Sequence, residues 1–190
     1  FGGVLSCLIL AKWPTLFRRA VLLDPVLFTP AMIGLMSFAE VLGLHRRHSM
    51  AARAAARRSR WPDRQAAYQA LHGRGIYRGW TDAALRAYVE HGLVEVDGGV
   101  ELKCRPSREA EIFASCPKRL WPSLARIETP SLILYGLTTY PFVARSVARL
   151  TARNPHVSAR QVPGGHCFML ELPEDSAQRV ADFLLRRESR

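Results

Sequence analysis

Cysteine is sparse and scattered: Cys7, Cys104, Cys116 and Cys167 form no C-x-x-C pair and no Cys/His spacing of the metal-binding kind. That excludes a zinc ribbon and a disulfide framework, and it makes a reducing, cytoplasmic setting the expectation. Long apolar runs are also missing. The stretch from Val4 to Ala11 is too short to span a bilayer, so no transmembrane segment is expected, and no secretory signal is recognisable. Acidic residues are few, 16 against 27 lysines and arginines, which leaves a net charge of +11. Such a balance favours anionic partners and raises nucleic acid as a ligand class. The arginines are spread through the chain, however, and no nucleic-acid-binding motif accompanies them. Their densest run (Arg53, Arg57, Arg58, Arg60, Arg64) lies among alanines and reads as the solvated face of an exposed helix, so no specific nucleic acid is expected. Low-complexity linkers and internal repeats are absent. What remains is 190 residues, 48% hydrophobic and 23% charged, a composition that can bury roughly 70% of the unfolded surface in a globular domain.

Taken in order, Gly2-Gly3 lead into Val4-Leu5-Ser6-Cys7-Leu8-Ile9-Leu10-Ala11, a helix apolar nearly all round, which Trp13-Pro14 ends. Ala20 to Leu23 is a short, continuous apolar run of the buried parallel-strand type, closed by Asp24-Pro25. From Pro30 to Ala125 the pattern turns mostly helical. Thr81-Asp82 cap a helix that carries Leu85, Tyr88 and Val89 on one face and stops at Gly92. Val94 and Val96, the turn Asp97-Gly98-Gly99, then Val100 and Leu102 predict a hairpin. Ser107 is placed to cap a short helix containing Ile112 and Phe113. Tyr68, Tyr77, Trp80, Tyr88 and Trp121 either line a pocket or fill a core. Strand and helix alternate again from Thr129-Pro130: Ser131 to Gly136 is a strand, Val143, Val147 and Leu150 mark a helix, and Val157 to Val162 is a weaker strand. It leads into Gly164-Gly165-His166, after which Pro173-Glu174-Asp175 open a helix with Ala177, Val180, Phe183 and Leu184 at helical spacing. A histidine on a glycine-rich loop can be held exposed and aimed, or can merely be bonded within a turn.

Three pieces in this order resemble an α/β-hydrolase: Phe1-Gly2-Gly3 before an apolar helix, Ala20-Val21-Leu22-Leu23-Asp24-Pro25, and Pro130 to Gly136 leading to Gly164-Gly165-His166. The resemblance implies an α/β fold: a mostly parallel sheet of the hydrolase type, its C-terminal half only, with an inserted, mostly helical cap. The expected division is hydrolase core over 1–29, cap insertion over 30–125 and core again over 126–190. In that family the nucleophile lies in a G-x-S-x-G turn and the triad order is Ser, acid, His. Phe1-Gly2-Gly3 matches the residues that follow such a serine, so the nucleophile is expected just before Phe1, the chain is expected to be a fragment, and the Phe1 backbone N–H is the expected oxyanion-hole donor. His166 matches the general base. The loop after the strand ending at Gly136, the usual place for the acid, reads Leu137-Thr138-Thr139-Tyr140-Pro141 and holds no carboxylate. Asp24, at the end of the preceding strand, is the expected acid instead, and Glu171 is expected to be a helix-entry or surface residue.

The resemblance therefore implies a serine-dependent hydrolase acting on carboxylic esters of small or medium apolar compounds, with no metal and no organic cofactor, since water and side chains suffice for acyl transfer. An aspartate before Phe1 would instead imply an epoxide or haloalkane hydrolase. A non-catalytic binding module of hydrolase-like fold is the reading favoured by the acid-free loop 137–141. The sequence leaves the oligomeric state open.

Overall fold

The computed structural model describes residues 1–43 and 49–185. They form two compact units: residues 1–33 with 117–185, and residues 34–43 with 49–116.

In chain order the elements are α1 (Gly2–Lys12), β1 (Ala20–Leu23), α2 (Pro30–Val41), α3 (Ser49–Ala55), β2 (Arg60–Trp61), α4 (Arg64–Leu71), a single 3-10 turn (Gly75–Tyr77), α5 (Asp82–Gly92), β3 (Leu93–Val96), β4 (Gly99–Leu102), α6 (Pro106–Ala114) and α7 (Leu120–Leu124). Then follow β5 (Ser131–Gly136), α8 (Pro141–Thr151), β6 (Val157–Val162), α9 (Phe168–Glu171) and α10 (Pro173–Leu184).

The first unit is built on a parallel sheet of order β1-β5-β6. Ala20 to Leu23 run beside Ser131 to Leu134, and Ser131 to Gly136 beside Val157 to Val162. All three strands therefore end at one rim, with Asp24, Gly136 and Val162 as neighbours. β5 is the central strand, and its Leu132, Ile133 and Leu134 are buried, as the continuous apolar run requires. Leu132 and Leu134 pack with Val162 and Phe168, with Val21, Leu23, Val180 and Phe183 around them. α8 turns Val143, Val147 and Leu150 inward. α7 packs on α1, and its Leu120 and Leu124 are fully buried. The Asn154 amide donates to the carbonyls of Leu124 and Ile127, which fixes the end of α7. Residues 117–125, expected within the insertion, thus belong to the hydrolase-type unit.

In the second unit β2, β4 and β3 form a small antiparallel sheet. The expected hairpin is there, with a third strand that the sequence reading placed in a helix. The arginine run is therefore not one solvated helix face. Arg53 is on α3, Arg60 is in β2 and Arg64 opens α4, because Trp61 is buried by pairing with Val100. Arg57 is part-buried: it pairs with Glu109 at 2.9 Å, donates to Tyr88 Oη at 3.3 Å and also contacts Tyr77 Oη. Trp80 packs edge to face on both Tyr77 and Tyr88, whose own rings are tilted to each other at 51°. Of the aromatics offered as a pocket lining, Tyr77 is core and Tyr68, Trp80 and Tyr88 are partly buried against that core, whereas Trp121 belongs to the other unit and donates its indole N–H to Phe28 O. Burial, followed by the hydrogen bond with Tyr88, pushes the Tyr77 phenol up. Thr81 caps α5 through the N–H of Ala84. Ser107 does not cap α6: Arg105 takes that position, with Pro106 as the first helical residue.

Candidate active site

Asp24 closes β1 with its own N–H still in the ladder, bonded to Leu134 O at 2.7 Å. It is the one non-glycine residue of positive φ among the described residues, at +43°. Aspartate tolerates the left-handed region better than most residues, and such a conformation persists only where the surroundings enforce it. Here the chain must leave the sheet at once, because Gly3 of α1 abuts Pro25. A Cβ on Gly3 would lie 2.8 Å from Pro25 Cβ.

The Asp24 side chain is fully buried, and its carboxylate accepts three hydrogen bonds. Gly136 N–H reaches Oδ1 at 2.9 Å, Thr139 Oγ1 reaches Oδ2 at 2.5 Å, and His166 Nδ1 reaches Oδ2 at 2.6 Å. A carboxylate only accepts, so Nδ1 carries the proton and Nε2 is left as the basic nitrogen. The His166 side chain is 38% exposed, whereas the Asp24 side chain is sealed from solvent.

The histidine loop is tied to the end of β5. Leu137 N–H donates to Val162 O at 2.8 Å, and Thr138 donates to Gly164 O through both its N–H (3.0 Å) and its hydroxyl (3.1 Å). Gly164 has φ +99°, the left-handed side of backbone space that favours glycine. Gly136 is needed for a different reason: a Cβ there would overlap the Gly165 carbonyl oxygen and lie 2.7 Å from Gly164 O. Glu171 stands at a helix entry, directly before the Leu172 N-cap of α10, but it is not a free surface residue. It ends α9, the short helix after His166, and its carboxylate accepts from Gly165 N–H at 3.0 Å. The Tyr140 ring lies 5.1 Å from that of His166 and stacks on Phe142 at 5.9 Å, which stacks on Phe28 at 5.7 Å. An aromatic wall thus runs from the imidazole along one unit.

Asp24 and His166 are therefore brought together across 142 residues. Phe1 stands at the N-cap of α1, two residues before the Gly3–Pro25 contact, and the helix bonds back to its carbonyl through Val4 N–H at 3.0 Å. Thr139, Tyr140 and Glu171 were not singled out from the sequence as site residues. The hydroxyl pair in Thr138-Thr139 was the available signal, since a polar loop after a buried strand needs partners for its donors. Among the described residues no group of three or more His, Cys, Asp or Glu side chains is placed to hold a metal ion, and no helix is long and apolar enough to cross a membrane.

No family model matches the chain. No curated protein sequence matches it either. Solved structures do. A crystal structure of E-2-(acetamidomethylene)succinate hydrolase superposes with a TM-score of 0.73 at 24% identity, covering 97% of this chain and 64% of that one. An esterase of M. tuberculosis gives 0.66 at 20% identity, covering 97% and 60%. The peroxisomal α/β-hydrolase Lpx1 of Saccharomyces cerevisiae gives 0.69 at 14% identity, covering 98% and 52%. The chain has the α/β-hydrolase fold and spans between half and two thirds of the length of these structures.

Proposed function

We propose that the chain is the C-terminal part of a serine-dependent α/β-hydrolase that cleaves carboxylic esters of small or medium apolar compounds. The observation that carries this reading is the buried Asp24 carboxylate, 2.6 Å from Nδ1 of a half-exposed His166 at the C-terminal rim of a parallel sheet. In this reading a serine directly preceding Phe1 in the parent polypeptide is the nucleophile. Its Oγ bonds to the acyl carbon while its proton passes to His166 Nε2, and the imidazolium is held by Asp24. The Phe1 N–H, at the positive end of α1, stabilises the oxyanion. The alcohol leaves with the proton from His166. Water then attacks the acyl-enzyme, giving its proton to the same nitrogen, and releases the acid and the free serine. The aromatic wall Tyr140-Phe142-Phe28 supports an apolar substrate, and the helical insertion is the cap. The names of two of the similar structures, a hydrolase and an esterase, agree with acyl-group hydrolysis.

The test is p-nitrophenyl butyrate hydrolysis by the parent polypeptide, with mass spectrometry of the trapped intermediate. The expected result is a burst of p-nitrophenol, an acyl adduct on the serine before Phe1, and loss of the burst in His166→Ala. An aspartate at that position would replace the esterase by an epoxide or haloalkane hydrolase. Unchanged turnover in His166→Ala would leave only a binding module.

A further inference from the structure

A second site lies on the flank of the first unit, where α2 begins beside α8. A cavity of about 300 Å³ is lined by Thr29, Pro30, Ala31, Arg145, Ser146 and Arg149. We propose that this cavity binds a small oxyanion, a phosphate or a carboxylate.

Three independent features point to it. Positive charge is concentrated there without compensation: neither 25–39 nor 137–151 contains an aspartate or glutamate, and Arg145 has no carboxylate partner among the described residues. Arg149 is braced over the Trp121 ring at 5.3 Å, which fixes one guanidinium without neutralising it. The second feature is the start of the twelve-residue α2. Thr29 Oγ1 caps Met32 N–H at 3.2 Å, and Thr29 O takes Ile33 N–H, so the Ala31 N–H is the remaining orphan donor at the positive helix end. The third is Ser146. Its side chain is 1% exposed and its Oγ has no hydrogen-bond partner. A helical serine ordinarily bonds the carbonyl four residues back, as Ser176 does to Leu172 O at 2.7 Å and Ser6 to Gly2 O at 3.0 Å. Ser146 leaves that bond unmade on the wall of the cavity, which is costly for a buried hydroxyl unless a ligand completes it. Two guanidinium groups, one helix N–H and one hydroxyl are all donors, the complement of an acceptor-only oxyanion.

The anion is either free or a single charged group at the far end of an otherwise apolar ester. The second case rests on the hydrolase reading, whereas the binding itself does not. Calorimetric titration of the full-length protein with inorganic phosphate at low salt is the first measurement. Arg145→Gln and Arg149→Gln are each expected to weaken phosphate about tenfold or more, as loss of a charge-assisted bond requires. Arg153→Gln, also on a basic surface, is expected to leave it unchanged. Ser146→Ala is expected to weaken phosphate several-fold while leaving the urea midpoint equal or higher, since it removes an unpartnered buried hydroxyl; a purely structural serine would lower the midpoint instead. Equal weakening in Arg153→Gln, or no weakening in the three cavity variants, would reduce the effect to the +11 charge and overturn the proposal. In the active parent enzyme, phosphate competing with p-nitrophenyl hemisuccinate but not with p-nitrophenyl butyrate assigns the site to the substrate's own anion. Binding without such competition assigns it to a free anion.

Discussion

Gly136→Ala separates a structural cause from a statistical one. A glycine inside a strand costs about 0.5–1 kcal/mol relative to alanine through chain entropy, so propensity alone predicts that the substitution stabilises the protein. The structure predicts the opposite sign. The new Cβ would overlap the Gly165 carbonyl oxygen, 2.7 Å from Gly164 O and 2.8 Å from Gly165 C, all backbone atoms that no rotamer change can remove. Carbon contacts settle near 3.5 Å, so the histidine loop must retreat by about 1 Å. Overpacking of this kind costs about 1–3 kcal/mol. The retreat also pulls on the Thr138–Gly164 bonds that hold the loop and moves His166, which follows Gly165 directly, relative to Asp24. A misplacement of about 1 Å at a catalytic centre costs on the order of 100-fold in rate. Urea unfolding and kcat on a p-nitrophenyl ester, both on the parent polypeptide, read the two effects. A Gly136→Ala variant as stable as the wild type or more so, with kcat within a few-fold, would refute the contact between β5 and the histidine loop.

Two further outcomes follow from the same geometry. Thr139→Val removes a donor from the oxygen that orients His166 and is expected to lower kcat about tenfold with KM little changed, whereas Thr139→Ser keeps the hydroxyl and restores most of the rate; equal rates in the two variants would deny Thr139 a positioning role. Burial pushes the Cys7 thiol up to about 12, so at pH 8 its thiolate fraction is only on the order of 10⁻⁴. Iodoacetamide should therefore label exposed Cys104 in the native protein and reach Cys7 only after denaturation, as peptide mass mapping would show; native labelling of Cys7 would contradict the burial of α1.

The strands β1, β5 and β6 were legible in the sequence to the residue: β1 and β5 are continuous apolar runs ended by Asp24 and Gly136, whereas β6, exposed at its four middle positions, was placed by Val157, Val162 and the glycine loop after it. Asp24 and His166 were legible as a pair only through the resemblance, since no local signal joins positions 142 residues apart. The second unit was harder. Arg60-Trp61 makes a two-residue strand whose existence depends on pairing with Val100, and no periodicity survives in so short a segment. α7 was assigned to the insertion because its five residues carry no boundary signal, and tertiary burial of Leu120 and Leu124 decides where it belongs. Thr139 and Glu171 were missed as site residues because each acts on a neighbour's hydrogen-bonding need, and such needs appear only once the chain is folded.

The central claim is that the buried carboxylate at the end of β1 serves His166 in catalysis, in the absence of any acid in the loop 137–141. Asp24→Asn in the parent polypeptide tests it most directly, because asparagine keeps the size and the backbone tolerance of the site while offering His166 Nδ1 a neutral partner. The account predicts an ester kcat lower by about 10⁴-fold with unfolding little changed. Turnover within tenfold of the wild type would contradict it and return Asp24 to the role of a strand terminator.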